Sequence, residues 1–219
     1  MDIFKDCKYV KFRPWIGREY ENGGGILGQR VLVLGASHYC SDLGSGKCSC
    51  CSSEAGPLSR CQYFTEDVIN EMLYRYDTAE PWMQTFLCFE RAVMGKELSQ
   101  AGREQFWQSV AFYNYIQIAL SGPRSPIPEF SYAPAGKAFQ EVLETLVPDK
   151  ILIWGKTLYR MLPDLNGSHS FIELSAGKAD IWTYPIAGKL IPAMAVTHPS
   201  TAEGKKWEYW HKFHSAFLK

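Results

Sequence analysis

The sequence predicts an α/β fold, a three-layer α/β/α sandwich with a mostly parallel central sheet, and three observations carry that prediction. Short apolar runs rich in Val, Ile and Leu, such as Val31-Leu32-Val33-Leu34 and Ile151-Leu152-Ile153-Trp154, read as strands buried on both faces. They alternate along the chain with stretches of helical period. Gly, Pro and Asn clusters punctuate the two kinds of segment, so each strand is followed by a crossover long enough to cover the sheet.

The first strand, Arg30 to Gly35, follows the turn signal Asn22-Gly23-Gly24-Gly25. Ala36 to Arg60 is rich in Gly, Ser and Cys without a period, which predicts a long excursion from that strand's end. Thr65 is placed to cap a helix from about Thr65 to Tyr76, with Glu66 and Asp67 in its first turn and Val68, Ile69, Met72, Leu73 and Tyr76 on its apolar face. Helices near Pro81 to Val93 and Glu97 to Gln108 precede a β-branched and aromatic strand, Val110 to Ile116, and then a Gly-Pro-rich loop from Ser121 to Pro134. Phe139, Val142, Leu143, Leu146 and Val147 form one stripe of a helix that Pro148 ends. A strand from Lys150 to Gly155, a helix through Leu158 and Met161, a turn at Asn166-Gly167 and strands around Ile181 to Tyr184 and Ile191 to Thr197 follow. Trp207, Trp210, His214 and Phe217 give a last helix its buried face.

Composition bounds the function. The 219 residues, 46% hydrophobic and 21% charged, suit a single domain over 1–219 with a Cys-rich insertion at about 36–61. Lys plus Arg and Asp plus Glu both count 23, so any nucleic-acid site must be a local patch and not a global field. No apolar run approaches the roughly 18 to 20 residues of a membrane span, and Met1-Asp2-Ile3-Phe4-Lys5-Asp6 lacks a signal peptide's apolar stretch, so a cytoplasmic, monomeric protein away from membranes is expected. Five of the seven cysteines, Cys40, Cys48, Cys50, Cys51 and Cys61, fall in one segment. In a reducing compartment such a cluster binds metal or stays free in preference to forming disulfides, and the spacing is not that of paired Cys-x-x-Cys zinc ribbons. Zinc on Cys40, Cys48, Cys51 and Cys61 is the metal reading; free thiols are the alternative.

Three polar strings fall within or just after predicted strands: Gly35-Ala36-Ser37-His38-Tyr39, Asn114, and His198-Pro199-Ser200. In sheets of this class ligands bind at the carboxyl ends of the strands, so the strings are expected to converge on one cleft. The absence of Gly-x-Gly-x-x-Gly after Val33-Leu34 argues against a dinucleotide-binding enzyme.

A strand ending in Gly-x-x-x-Tyr, a later strand carrying Asn, a strand ending in Gly, and a last strand ending in His-Pro-Ser before a C-terminal helix together resemble the uracil-DNA glycosylase superfamily over about residues 28–218. The resemblance implies a hydrolase that removes uracil or another deaminated base from DNA, single- or double-stranded, with the base flipped out of the stack. It implies His198 as the group that stabilises negative charge on the departing base, Asn114 as the base reader, Tyr39 as a pocket wall, Gly35 and Ala36 as backbone beside the base, Phe64 as an aromatic platform, and Pro199 and Ser200 at a phosphate. Where the family commonly reads Gly-Gln-Asp-Pro-Tyr, this chain has Ser37 and His38 in place of Asp and Pro. Ser37 can position water but cannot take its proton as a carboxylate does; His38 is either a substitute base or a structural or metal-binding histidine. One branch of the superfamily holds an iron–sulfur cluster, but its cysteines are distributed differently. Lys205, Lys206 and Lys156 are candidate phosphate contacts, although for the two adjacent lysines a solvated first helical turn is the favoured reading, because cations are poorly placed at a helix N-terminus. A relative that keeps the cleft without this catalysis, and binds nucleic acid, a nucleotide or a protein there, is the second reading.

Overall fold

The computed structural model describes residues 3–46, 49–53, 57–75, 80–123 and 125–219. The strands are β1 (Trp15–Ile16), β2 (Val31–Gly35), β3 (His38–Tyr39), β4 (Val110–Asn114), β5 (Ala119–Leu120), β6 (Lys150–Trp154), β7 (Ser168–Leu174), β8 (Gly177–Ile186) and β9 (Lys189–Val196). Seven of them form one sheet in the order β1-β4-β2-β6-β9-β8-β7, and β3 pairs with β5 apart from it.

β4, β2, β6 and β9 are mutually parallel. The two flanks are antiparallel: β1 against β4, and the β7-β8-β9 meander. The sheet is therefore mixed, half of its pairings being antiparallel, where the sequence reading expected a mostly parallel one. The reason is local. Ala187 and Gly188 both adopt positive φ, 51° and 75°, a two-residue hairpin turn whose twist matches its strands and folds β8 directly back onto β9. β7 was missed because Ser168 to Leu174 is largely exposed, an outer strand with no buried alternation to reveal it.

Helices pack on both faces of the sheet. Val31 and Val33 of β2 face one core with α2 (Phe64–Tyr74), α3 (Met83–Met94), α4 (Gln100–Gln108) and α7 (Trp207–Phe217). Leu32 and Leu34 face the other, with α5 (Tyr132–Leu146) and α6 (Lys156–Met161). The period of two in β2 thus sends alternate side chains into different cores, and each is apolar because both are buried. In α5, Phe139, Val142, Leu143 and Leu146 all lie in that second core, as their helical spacing requires. α5 begins at Tyr132, so the end of the expected 121–134 loop is already helical: Pro134 sits in the first turn, where its missing N–H costs nothing. In the first core Glu90, 1% exposed, accepts from Arg103 Nε at 3.0 Å and Trp107 Nε1 at 3.1 Å, tying α3 to α4.

The segment after β2 is a chain of short pieces: β3, the four-residue α1 (Ser41–Gly44), and 3₁₀ turns at Cys50–Ser52 and Ser59–Tyr63. The helix expected from Thr65 runs Phe64–Tyr74, with Tyr63 at its N-cap and no side-chain cap; Tyr76 lies outside the described residues. Thr65 is turned to a different partner, described below. Among the described residues no helix is long and apolar enough to cross a membrane.

Candidate functional site

Chain order places the first parallel strand, β2, between β4 and β6, so successive crossovers leave β2 in opposite directions. A sheet of this kind has a crevice outside the carboxyl ends at that reversal. Register puts Gly35 opposite Asn114 and Trp154 opposite Val196, and Gly155 N–H donates to Val196 O at 2.9 Å. Gly35, Asn114, Gly155 and the His198 turn therefore stand on one edge of the sheet. Three strand spacings separate the Asn114 and His198 columns, roughly 14 Å at about 4.8 Å each.

Two glycines make that edge. A Cβ on Gly35 would lie 2.3 Å from Asn114 Oδ1, so only glycine lets the Asn114 carboxamide lie against the end of β2. Gly155 has φ 104°, which L side chains rarely adopt, and the turn it makes runs beside His198, whose Cβ would be 3.5 Å from an added methyl.

His38 is buried at 3% exposure. Its ring stacks on Phe64, with centroids 4.9 Å apart and planes 23° apart, and packs at 4.7 Å against Phe12. Asn114 Nδ2 lies 3.1 Å from His38 Nδ1 and Thr65 Oγ1 lies 3.1 Å from Nε2. The same amide nitrogen is 3.5 Å from Nε2, so the carboxamide lies against the ring while the Thr65 hydroxyl meets Nε2. Desolvation lowers this imidazole to about 3, so it stays neutral. The ring is thus held and neutral, the form that both of its readings require.

His198 follows β9 in a tight turn closed by Thr201, whose N–H and hydroxyl both donate to His198 O at 3.0 and 2.8 Å. Ser200 N–H donates to His198 Nδ1 at 3.3 Å, and Ser200 Oγ lies 2.8 Å from the same atom. Because a backbone N–H can only donate, Nδ1 is unprotonated, the hydroxyl donates to it too, and the proton is on Nε2. Burial lowers the pKa of His198, which favours this neutral form. The edge of Trp154 faces the ring at 6.1 Å. The helix expected directly after His-Pro-Ser begins later, at Trp207.

The remaining predicted residues divide. Ala36 and Ser37 are half-buried, and the backbone runs on from β2 with Tyr115 N–H donating to Gly35 O and Ile116 N–H to Ala36 O. Pro199 is buried under the His198 turn, Ser200 is exposed with its hydroxyl on the imidazole, and Tyr39 is 47% exposed on β3. Lys205 and Lys156 are exposed; Lys206 pairs with Glu203 at 2.9 Å. Cys40 and Cys61 pack against buried Cys51 in a small cluster with Phe12, Ala119 and Phe64, and Cys48 lies outside the described residues. Among the described residues no three His, Cys, Asp or Glu side chains are grouped to hold a metal ion.

Sequence reading missed Gln117, Thr65 and Phe12. Gln117 is 3% exposed; its carbonyl oxygen accepts from Lys11 and Phe12 N–H at 2.8 and 3.0 Å, and its amide donates to Asn114 O at 2.8 Å. Its signal was a single polar residue inside the apolar run Ile116-Gln117-Ile118. Phe12 carried no signal, since its contact with His38 joins distant parts of the chain. No protein-family model matches the sequence, and no curated protein matches it.

Proposed function

We propose that the chain is a divergent three-layer α/β/α protein of the uracil-DNA glycosylase type, hydrolysing the bond between a deaminated base and its sugar in DNA. The observation that carries this reading is His198, whose Nδ1 is taken by Ser200 and whose Nε2 has no partner within the described residues. A neutral imidazole with a free N–H on the strand-end edge of the sheet is a donor suited to the anionic base that leaves when an N-glycosidic bond breaks. Water held beside the sugar by Ser37 and backbone groups would be the attacking group, acting through position because no carboxylate stands there. Lys205 and the exposed Lys156 are suited to phosphate.

The experiment is alkaline cleavage of abasic sites in uracil-, hypoxanthine- and xanthine-containing oligonucleotides. His198→Ala should lower turnover by roughly 100-fold or more while leaving affinity for the abasic product nearly unchanged, since the donor acts mainly as charge develops. Equal turnover by parent and variant would end the proposal.

A second reading is favoured by one contact: Asn114, the residue proposed to read the base, is bonded to His38. On that reading the cleft binds a nucleic acid or nucleotide without cleaving it. Binding of the oligonucleotides with no abasic product from any of them would select it.

Zinc on Cys40, Cys48, Cys51 and Cys61 is proposed on the clustering of these cysteines in the sequence alone, since the three that are described are not grouped to hold an ion. Elemental analysis of protein purified under reducing conditions with zinc should find one ion per chain; none would remove the idea.

A further inference from the structure

The N-terminal segment is clamped across the end of β4 by two side chains. Glu141 of α5 accepts from the N–H groups of Lys8, Tyr9 and Val10 at 2.9, 2.8 and 3.1 Å, and Gln117 accepts from Lys11 and Phe12. With its backbone donors satisfied in this way, the strap displays Lys8, Tyr9 and Lys11 on a fixed frame. Against it opens a cavity of about 380 Å³ lined by Lys8, Tyr9, Lys11, Gln117, Ile118, Phe130, Ser131 and Pro134.

The chemistry of this lining is specific. It contains two lysines and no carboxylate, and the nearby carboxylate of Glu141 is directed to backbone N–H groups. Lys8 and Lys137 lie 5.3 and 5.0 Å from the Tyr9 ring centre, and among the described residues neither pairs with an acid. Phe130 is 42% exposed, an apolar ring left open beside Ile118 and Pro134. Cations around an open aromatic and apolar floor fit a ligand that alternates phosphate with flat rings. Location agrees: Gln117 and Ile118 come three and four residues after Asn114, and Phe12, next to Lys11, packs on His38. In a chain of zero net charge this is the local basic patch that nucleic-acid binding requires.

We propose that the groove between the strap 8–11 and Phe130 binds single-stranded nucleic acid, holding a nucleotide next to the one in the strand-end crevice. The inference rests on the nucleic-acid reading of that crevice. Lys8 and Lys137 contact phosphates, and Phe130 stacks on a base.

The test is fluorescence anisotropy of a labelled oligothymidylate over a series of salt concentrations, with an unlabelled duplex of the same length as competitor. Lys8→Ala/Lys137→Ala should weaken binding and reduce the slope of log affinity against log salt by about 0.7 per lost phosphate contact. Phe130→Ala should weaken binding about tenfold with the slope unchanged, because stacking releases no counterions. Lys96→Ala/Lys212→Ala, in the turn after α3 and in α7, which belong to the other core, should do neither. Groove variants that bind as the parent does overturn the proposal, as does a duplex that competes as well as the single strand. So does a parent that binds no oligonucleotide. Uracil excision by the same preparations is scored separately: loss of affinity in the groove variants with no excision by the parent removes the glycosylase reading and keeps the groove, whereas excision with unaltered affinity does the reverse.

Discussion

Asn114 Nδ2 lies 3.1 Å from Nδ1 of His38, so the side chain that the resemblance assigns to a base is held against an imidazole of its own chain. The ring is stacked on an aromatic, Phe64, and touched by the polar side chains of Asn114 and Thr65. Removing it should leave a hole with a base-like set of partners. His38→Ala is expected to cost roughly 2 to 4 kcal/mol, from a cavity and two groups left without a partner. Millimolar imidazole should then raise the variant's melting temperature and leave the parent's unchanged, and uracil should do the same if Asn114 and Phe64 accept a pyrimidine. A variant that neither compound stabilises would show that the hole collapses and that the pocket has no base-like shape.

Ser200 bears on His198 in a way separable from phosphate binding. Its hydroxyl and N–H both point at Nδ1, which keeps the proton on Nε2. In Ser200→Ala the N–H alone remains, at 3.3 Å, and the other tautomer gains population. Turnover should fall about tenfold with little change in substrate affinity, and nitrogen NMR of His198 should show a shift toward protonated Nδ1. Weakened affinity with an unchanged tautomer would instead make Ser200 a phosphate contact.

Much of the central architecture was legible because it obeys local rules. β2 and β6 are runs buried on both faces, and α5 and α7 carry single stripes. Gly35, Asn114 and His198 could be placed on one edge because parallel strands put their carboxyl ends together. What escaped was set by long-range partners. Thr65 has the sequence context of a cap, yet its hydroxyl meets His38 across 27 residues. The strap is held by Glu141 from more than 130 residues away. Lys206 looked free for phosphate until Glu203, one turn earlier, paired with it.

Glu90 and Arg103 join α3 to α4 within the core, at 1% and 13% side-chain exposure. Desolvation raises the Glu90 carboxyl despite the guanidinium beside it, so the pair is held by mutual dependence. Arg103→Ala should destabilise by roughly 3 to 5 kcal/mol, because it strands a buried carboxylate. Arg103→Met with Glu90→Leu should recover most of that loss, as two apolar chains replace two charges. Urea unfolding of the parent and both variants checks this, and an Arg103→Ala variant as stable as the parent would mean that water reaches Glu90.

The last prediction concerns acid. His38 and His214 are both buried, and desolvation lowers each to about 3, with the charge of His211 adding to the effect at His214. In the unfolded chain both titrate near 6.5. The sign follows from which state takes the proton: below 6.5 the unfolded chain binds it, and the folded chain does not until near 3. The stability these neutral rings permit is complete above 6.5 and is lost as pH falls toward 3, with a limiting slope of about 1.4 kcal/mol per pH unit for each ring. Asp149, whose carboxyl is lowered although burial opposes this, because Lys189 and the Arg30 N–H and side chain stabilise its charge, loses its contribution only below the ordinary carboxylate range. Between pH 6.5 and 5 the histidines therefore set the slope. Urea midpoints measured at half-unit steps should fall across that window, and His214→Gln, which keeps a polar group without a titrating one, should remove its share of the pH dependence and leave that of His38 and of His198, which burial also lowers. Parallel curves for parent and variant would mean that His214 is protonated in the folded protein and that its surroundings, with Phe89 edge-on at 5.7 Å, tolerate the charge.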